Sequence, residues 1–311
     1  MRSIRFAGSP LTRKGPCWLR WAECTGESLS NRDRAAPSNE RFFPECKEEM
    51  TYPQATCWVV DLGAVPYAQA LEFQRRAVAG RKNGSVPDLL LFCEHFPVIT
   101  LGRNGKREHL RASERVLRQM NVEFHDTERG GDITFHGPGQ IVGYPILDLT
   151  QLKRDVRWYV EQLEDVMIAA AAECGIAARR AEGMHGVWVP AAGGEAEKLG
   201  ALGVHISRWV TSHGFAYNVS TDLRHFDLIV PCGLQKKATS LEKILGRAVA
   251  VEDVKPRLAA NFAKIFGREM RSVARPDLEA AMREGEASGA DAHHPPYANE
   301  VTVDSARSDR T

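Results

Sequence analysis

Apolar and polar residues follow regular patterns only after Met50. The segment CWVVDLG predicts a strand, and PYAQALEFQRRAVAG has the spacing of an amphipathic helix that ends at Gly80. Two short apolar runs, DLLLFCE and PVITLGR, are separated by Pro97 and indicate adjacent strands joined by a turn. The run QIVGYPILDL predicts a further strand.

A long helix is predicted over RDVRWYVEQLEDVMIAAAAECG, whose apolar residues recur at helical spacing up to the stop signal Gly175. The segments GVWV, LGALGVHI and WVTSHGFAYNV indicate strands, and Thr239 with Glu242 predicts a capping box that opens the helix SLEKILG. A last helix is predicted over residues 251–267. Clustered strands with a few long helices predict a mixed α/β (α+β) fold, in which helices flank a largely mixed β-sheet.

The two ends of the chain lack this regularity, so the folded domain is predicted over residues 51–270. Residues 1–50 leave three interpretations open: a disordered extension, an upstream start codon with Met50 as initiator, or a transit peptide, since residues 1–22 contain no acid. Seven acidic residues then precede Met50, which favours an extension that does not fold. Residues 271–311 are small, polar and aperiodic, and predict a disordered polar tail.

Composition and charge give no sign of a nucleic-acid or membrane partner. Hydrophobic residues make up 43% of the chain, and the formal net charge is +1, from 41 basic and 40 acidic residues. Such a balance offers no basic surface excess for nucleic acid or anionic lipid. No apolar run approaches the roughly 20 residues that a membrane-spanning helix needs.

The cysteines indicate a reducing compartment, and hence a cytoplasmic location, because an odd number at irregular spacing does not form a disulfide framework. The seven are Cys17, Cys24, Cys46, Cys57, Cys93, Cys174 and Cys232. The sequence contains neither a CxxC pair nor an HExxH motif, so no metal site is predicted. It also lacks a phosphate loop, and its one GxGxxxG contains Pro138 and leads into a strand, which argues against a dinucleotide cofactor.

The segment ERGGDITFHGPGQIVGYP has more special residues than a strand requires. Glycines follow both Arg129 and His136, and their backbone could approach a ligand closely. Thr134 and His136 would share one face of the strand DITFH. Two glycine turns around a strand with a core histidine would give the same pattern, so these residues alone leave a binding site and a structural role open.

Two further positions have the chemistry of a reactive centre. Lys198 begins an apolar strand after a Gly- and Glu-rich loop, where it either lies at the strand edge or enters a pocket. Cys232 lies between Pro231 and Gly233, on a turn that would present its thiol to a cavity. Cys57, Cys93 and Cys174, in contrast, belong to predicted strands or a helix end, where a thiol behaves as a small hydrophobe. A thiolate needs a nearby cation or base, and Lys198 is the best candidate.

Three segments together resemble a known family. RGGDITFHGPGQIVGYPILDL, GVWV with EKLGALGVHISRWVTSHGFAYNV, and FDLIVPCGL with ATSLEK are similar to the lipoyl(octanoyl) transferases, also called octanoyl-[acyl carrier protein]:protein N-octanoyltransferases. EHFPVITLGR matches as well, and the resemblance runs from about Trp58 to Gly267. One departure is His205, which stands where an arginine is frequent and leaves partner docking open.

The resemblance implies roles for individual residues. Cys232 would take the acyl group as a thioester, and Lys198 would lower the thiol pKa and act as acid and base. Substrate contacts would come from three short segments, comprising Arg129, Gly130, Gly131, Asp132, Ile133, Thr134, Phe135, His136, Ala201, Leu202, Gly203, Gly214, Phe215 and Ala216.

It also implies a fold shared with biotin and lipoate protein ligases, with a smaller sheet beside the main one. The donor would be octanoyl-acyl carrier protein, and the acceptors lipoyl domains of 2-oxoacid dehydrogenase complexes and the glycine cleavage H protein. Because the donor is already a thioester, neither ATP, cofactor nor metal is required. Two alternatives stay open: an ATP-dependent lipoate or biotin ligase, and a non-catalytic module that binds acyl groups or lipoyl domains.

Overall fold

The computed structural model describes residues 55–191, 194–230, 237–289 and 300–302, and within them nine strands form one mixed β-sheet. The strands of this large sheet are β1 (Ala55–Val65), β2 (Asp88–His95), β6 (Gln140–Ile146), β7 (Arg179–Ala181), β8 (Met184–Pro190), β9 (Ala196–Ser207), β10 (Val210–Asn218), β11 (Arg268–Ser272) and β12 (Glu300–Thr302). Their order is β11-β1-β2-β6-β10-β9-β8-β7, with β12 beside β9. The pairs β11-β1 and β1-β2 are parallel, and the other pairs are antiparallel.

A second, three-stranded sheet has the order β4-β3-β5. Its strands are β3 (Val98–Leu101), β4 (Glu123–Asp126) and β5 (Ile133–His136). The helices are α1 (Tyr67–Asn83), α2 (Glu114–Gln119), α3 (Val156–Ala172), α4 (Leu241–Leu245), α5 (Val251–Phe266) and α6 (Arg275–Gly289). This architecture is the mixed α/β fold with a smaller sheet that the sequence predicts.

Helices cover both faces of the large sheet. Residues of α3 and α5, such as Leu163 and Phe262, join one buried apolar cluster, while residues of α1 and α6, such as Phe73 and Leu278, join another. Helix α3 begins where the Asp155 carboxylate accepts a hydrogen bond from the backbone N–H of Trp158 at 3.0 Å. Its apolar residues then recur every three or four positions, so one side packs on the sheet.

The predicted end of the domain at residue 270 is wrong over residues 271–289. Strand β11 extends to Ser272, and α6 follows it, with Leu278 and Met282 buried where α6 packs on α1 and β1. These two residues, one helical turn apart, anchor an otherwise polar segment, so its apolar signal in the sequence is weak. Residues 1–50, predicted to be an extension, lie outside the described residues, as does most of the segment after Gly289.

Two local predictions also differ from the structure. Helix α1 continues past Gly80 and ends at Gly84, whose φ of 81° suits a left-handed cap. Gly80 lies instead where the helix passes close to Val86. The residue that caps α4 is Ser240 rather than Thr239, because Ser240 Oγ accepts the N–H of Lys243 at 3.2 Å. No helix in the described part of the chain is long and apolar enough to cross a membrane.

Candidate functional site

A cavity of about 710 Å³ lies between the large sheet and the segment that carries β5. Strands β6, β10, β9 and β8 supply one side of it, and residues 129–136 and the 3-10 helix Leu223–Leu228 supply much of the other. Its volume is within the range of small-molecule sites in proteins. In the described residues, no cluster of three or more His, Cys, Asp or Glu side chains could hold a metal ion.

Most of the predicted site residues meet in this cavity. Those that line it are Arg129, Gly131, Asp132, Ile133, Thr134, His136, Lys198, Ala201, Leu202, Gly203, Gly214, Phe215 and Ala216. Gly130 lies in the same loop, and Phe135 faces away and packs against His225 and Phe226 of the 3-10 helix. Cys232 lies outside the described residues.

Small residues on neighbouring strands line one wall of the cavity. Gly203 of β9 pairs with Gly214 of β10, and Ala201 pairs with Ala216, so two segments distant in sequence form one surface. Their neighbours Leu202 and Phe215 belong instead to the apolar cluster on the α3 and α5 side. A Cβ at Gly203 would lie 2.9 Å from Gly130 O, and one at Gly214 would clash with Gly143 O, so these two glycines let neighbouring backbone pack closely on the strands.

Arg129 holds together the loop that covers this surface. Its guanidinium donates hydrogen bonds to the carbonyl oxygens of Thr100 at 2.7 Å, Asp132 at 2.7 Å and Gly130 at 3.0 Å, and to Thr100 Oγ1 at 2.9 Å. The Gly130 N–H donates to Val204 O of β9 at 2.9 Å. The substrate contact that the resemblance implies for Arg129 stays a prediction, and the structure shows that Arg129 fixes the loop between the two sheets.

His136 begins a chain of buried hydrogen bonds. Its Nδ1 lies 2.7 Å from Gln140 Oε1, and Gln140 Nε2 donates to Phe135 O at 3.2 Å and to Asn218 Oδ1 at 2.9 Å. A carbonyl can only accept, so the Gln140 amide nitrogen must face Phe135 O and its oxygen must face His136. His136 Nδ1 therefore carries the proton. Asn218 Nδ2 extends the chain to Thr239 O at 2.9 Å.

Lys198 lies where this chain of hydrogen bonds reaches β9. Its N–H donates to Lys237 O at 2.8 Å, and its carbonyl accepts the N–H of Thr239 at 2.9 Å. Its Nζ lies 4.5 Å from the centre of the Trp188 ring, which is buried. An aromatic face attracts an ammonium group, so Trp188 stabilises the charged form of Lys198 and helps fix its position in the cavity wall.

Both described ends of the segment that contains Cys232 line the cavity. Val230 precedes that segment and donates its N–H to His109 O at 2.8 Å, and Lys237 follows it and pairs with Lys198. Elsewhere in the described residues, burial raises the pKa of the thiols of Cys57 and Cys93, which keeps them protonated and unreactive.

Several cavity residues were not predicted from the sequence. Gln140 and Asn218 are buried polar residues at the ends of apolar strands, and a polar residue that continues an apolar run is a signal that could have identified them. Trp188, Tyr67 and Tyr144 gave no such signal, because an aromatic residue in a strand or at a helix start is ordinary core. Only the folded structure shows that these three residues line the cavity.

The buried histidines of the site make stability depend on pH. Burial lowers the pKa of His136 and of His213 to about 3, and it lowers the pKa of His95 as well. An unfolded histidine titrates near about 6.5, so the unfolded chain binds more protons between these values. The free energy of unfolding should therefore fall as pH drops below about 6.5, by about 1.4 kcal/mol per pH unit for each histidine.

Urea unfolding at a series of pH values measures this slope. His213→Asn should reduce the slope by the contribution of one histidine. Asparagine is chosen because it tolerates the left-handed backbone at this position, where φ is 55°. An unchanged slope in this variant would show that His213 is not a buried neutral histidine.

Comparisons with known proteins identify the fold and the family of this chain. Residues 66–263 match the family described as the lipoyl protein ligase A/B catalytic domain. A solved bipartite lipoate protein ligase from Thermoplasma acidophilum superimposes with a TM-score of 0.56 and 14% identity, covering 75% of this chain and 92% of that one. At that identity the likeness shows the fold.

Curated relatives show which family within this fold class the chain belongs to. An octanoyltransferase of Solibacter usitatus is 51% identical over 214 residues, which are 69% of this chain and 94% of that protein. An octanoyltransferase of Koribacter versatilis is 48% identical over 218 residues, covering 68% and 85%. The chain therefore belongs to the octanoyltransferase family and is an acyltransferase. The predicted family and the predicted likeness to lipoate protein ligases are confirmed.

Proposed function

We propose that the protein transfers an octanoyl group from octanoyl-acyl carrier protein to a lysine of a lipoyl domain, through a thioester on Cys232. One observation carries this proposal: Lys198 lies in the cavity wall, and its backbone pairs with Lys237, the first described residue after the Cys232 segment. Cys232 is two residues beyond Val230 in sequence, and two peptide units span at most about 7.6 Å. This short spacing supports a role for the Cys232 thiol in the cavity.

The first half-reaction loads the enzyme. The Cys232 thiolate attacks the thioester carbonyl, a new C–S bond forms, and the C–S bond to the carrier breaks. The carrier sulfur leaves and takes a proton from the Lys198 ammonium. The cavity provides apolar surface for the acyl chain, and each buried methylene contributes about 0.8 kcal/mol of binding.

The second half-reaction transfers the acyl group from the enzyme to the acceptor lysine. The neutral amine of the acceptor lysine attacks the acyl-enzyme, forms the amide bond and releases the Cys232 thiolate. Lys198, neutral after the first step, accepts the amine proton. A backbone N–H near Gly203 or in the Arg129–Gly131 turn would stabilise each oxyanion. Since the Gly130 N–H already donates to Val204 O, Gly131 is the better donor of that turn.

The acceptors that fit this chemistry are lipoyl domains of 2-oxoacid dehydrogenase complexes and the glycine cleavage H protein. The study of the Thermoplasma acidophilum ligase concerned a lipoylation system with its E2 lipoyl domain, which supports an acceptor of that kind. The cytoplasmic location predicted from the cysteines stays a prediction.

The choice of acyl donor tests the proposal against an ATP-dependent ligase on the same fold. With octanoyl-acyl carrier protein and a lipoyl domain, and with ATP removed by apyrase, we expect the lipoyl domain to gain one octanoyl mass. Free octanoate with ATP should give no product. Product formation only from free octanoate and ATP would identify a ligase, and binding of both proteins without any product would identify a non-catalytic module.

A further inference from the structure

The cavity has an open end and a closed end. Exposed residues surround the open end, among them Arg111, Arg224 and Lys237. Val142 and Tyr144 of β6 line another part of the cavity and are 2% and 4% exposed, so we take that part as the closed end. Gly143, next to Tyr144, pairs with Phe215 of β10, whereas Gly200, two residues after Lys198, pairs with Tyr217, so Lys198 and Tyr144 lie at different levels along β10. An acyl chain attached near Lys198 would therefore direct its methyl end toward the strand that carries Tyr144.

The Tyr144 hydroxyl is fixed by a histidine behind it. Tyr144 Oη lies 2.7 Å from His95 Nε2, and His95 Nδ1 lies 2.9 Å from Val65 O. Because a carbonyl oxygen can only accept, Nδ1 carries the proton, and Nε2 must accept from the tyrosine. His95 is 1% exposed, so neither group can exchange its partner for water.

Other rings pack around this pair. Tyr67 lies edge-on to His95, with ring centres 5.4 Å apart, and parallel to His136 at 6.5 Å. The Tyr67 hydroxyl donates to Thr127 Oγ1 at 3.0 Å, away from the pair. We call Tyr67, His95, His136 and Tyr144 the ring wall. Both of its tyrosine hydroxyls are bonded to protein, so the tyrosines present carbon to the cavity and suit the end of a hydrocarbon chain.

We propose that Tyr144, positioned by His95, sets the longest acyl chain that the enzyme accepts; this inference rests on the proposed function. A chain longer than the cavity must displace the Tyr144 ring. That displacement breaks a buried hydrogen bond and leaves His95 Nε2 with only the weakly donating Cys93 thiol, 3.6 Å away, which is unfavourable in a dry interior. Val142 and Ala216, paired on neighbouring strands, line the approach to the wall, so their side-chain size should also affect chain length.

Competition between donors of different length tests the inference. The full-length protein is mixed with equal amounts of octanoyl-, decanoyl- and dodecanoyl-acyl carrier protein, and the acyl-enzyme is analysed by intact mass. Tyr144→Leu should raise the ratio of decanoyl to octanoyl adduct by about tenfold, since two more methylenes are then buried. The matched control is Tyr217→Leu, a buried tyrosine of β10 in the cluster on the opposite face of the sheet. It should leave the ratio unchanged.

A second variant should shorten the acyl chain that the enzyme prefers, and it tests the inference even if Tyr144→Leu does not fold. Val142→Phe fills the approach to the wall and should favour hexanoyl over octanoyl donor when the two compete. Unaltered chain-length ratios in folded, acylated Tyr144→Leu or Val142→Phe would overturn the inference. A parent protein that takes no acyl group of any length would overturn the proposed function, and this inference with it.

Discussion

Replacing Cys232 with alanine is expected to lower the rate of octanoyl transfer to a lipoyl domain by about 10⁴-fold or more, because the proposed reaction then loses its nucleophile. The rate is measured as octanoylated lipoyl domain formed per unit time from octanoyl-acyl carrier protein. Cys174→Ala is the matched control, since Cys174 is a partly exposed thiol at the end of α3. It should retain the parent rate. Normal turnover by Cys232→Ala would exclude the thioester route.

Lys198→Ala is expected to slow transfer by about 10²- to 10⁴-fold, through loss of both its charge and its proton transfer. The charge is tested separately by alkylation of Cys232 with iodoacetamide near neutral pH, followed on the Cys232 peptide. Without the neighbouring ammonium the thiol pKa rises, a smaller share is ionised, and alkylation should slow.

Lys198→Arg separates the two roles of the lysine. Arginine keeps the positive charge but does not give up its proton, so alkylation should stay fast while transfer to the acceptor amine falls. Lys255→Ala is the control, because Lys255 of α5 forms an ion pair with Asp61 of β1 and does not line the cavity. Alkylation of Lys198→Ala at the parent rate would remove Lys198 from the thiol's environment.

The sequence predicted much of the site because the family motifs are local. Most residues from Arg129 to His136, and the pairs Ala201 with Ala216 and Gly203 with Gly214, meet in the cavity. The sequence could not show that these pairs lie in register, since register depends on how β9 and β10 associate. Nor could it show that the Arg129 guanidinium donates hydrogen bonds to four protein oxygens, because these contacts form only in the folded loop.

Residues whose function depends on contacts across the fold were missed. His95 and Tyr144 are 49 positions apart in the chain, and each alone looks like a core residue of a strand. Trp188 reaches Lys198 only because β8 and β9 pair beside each other. The end of the domain was misplaced for a related reason: α6 is held by Leu278 and Met282, too few apolar residues to give a clear helical period.

The most direct measurement of the central claim is the location of the acyl group on the parent enzyme. The protein is incubated with octanoyl-acyl carrier protein without an acceptor, digested under mildly acidic conditions that preserve thioesters, and its peptides are analysed by mass spectrometry. The account predicts one octanoyl group per chain, on the peptide that contains Cys232, removed by hydroxylamine or by added lipoyl domain. An octanoyl group on any other residue, or a productive enzyme that never carries one, would contradict it.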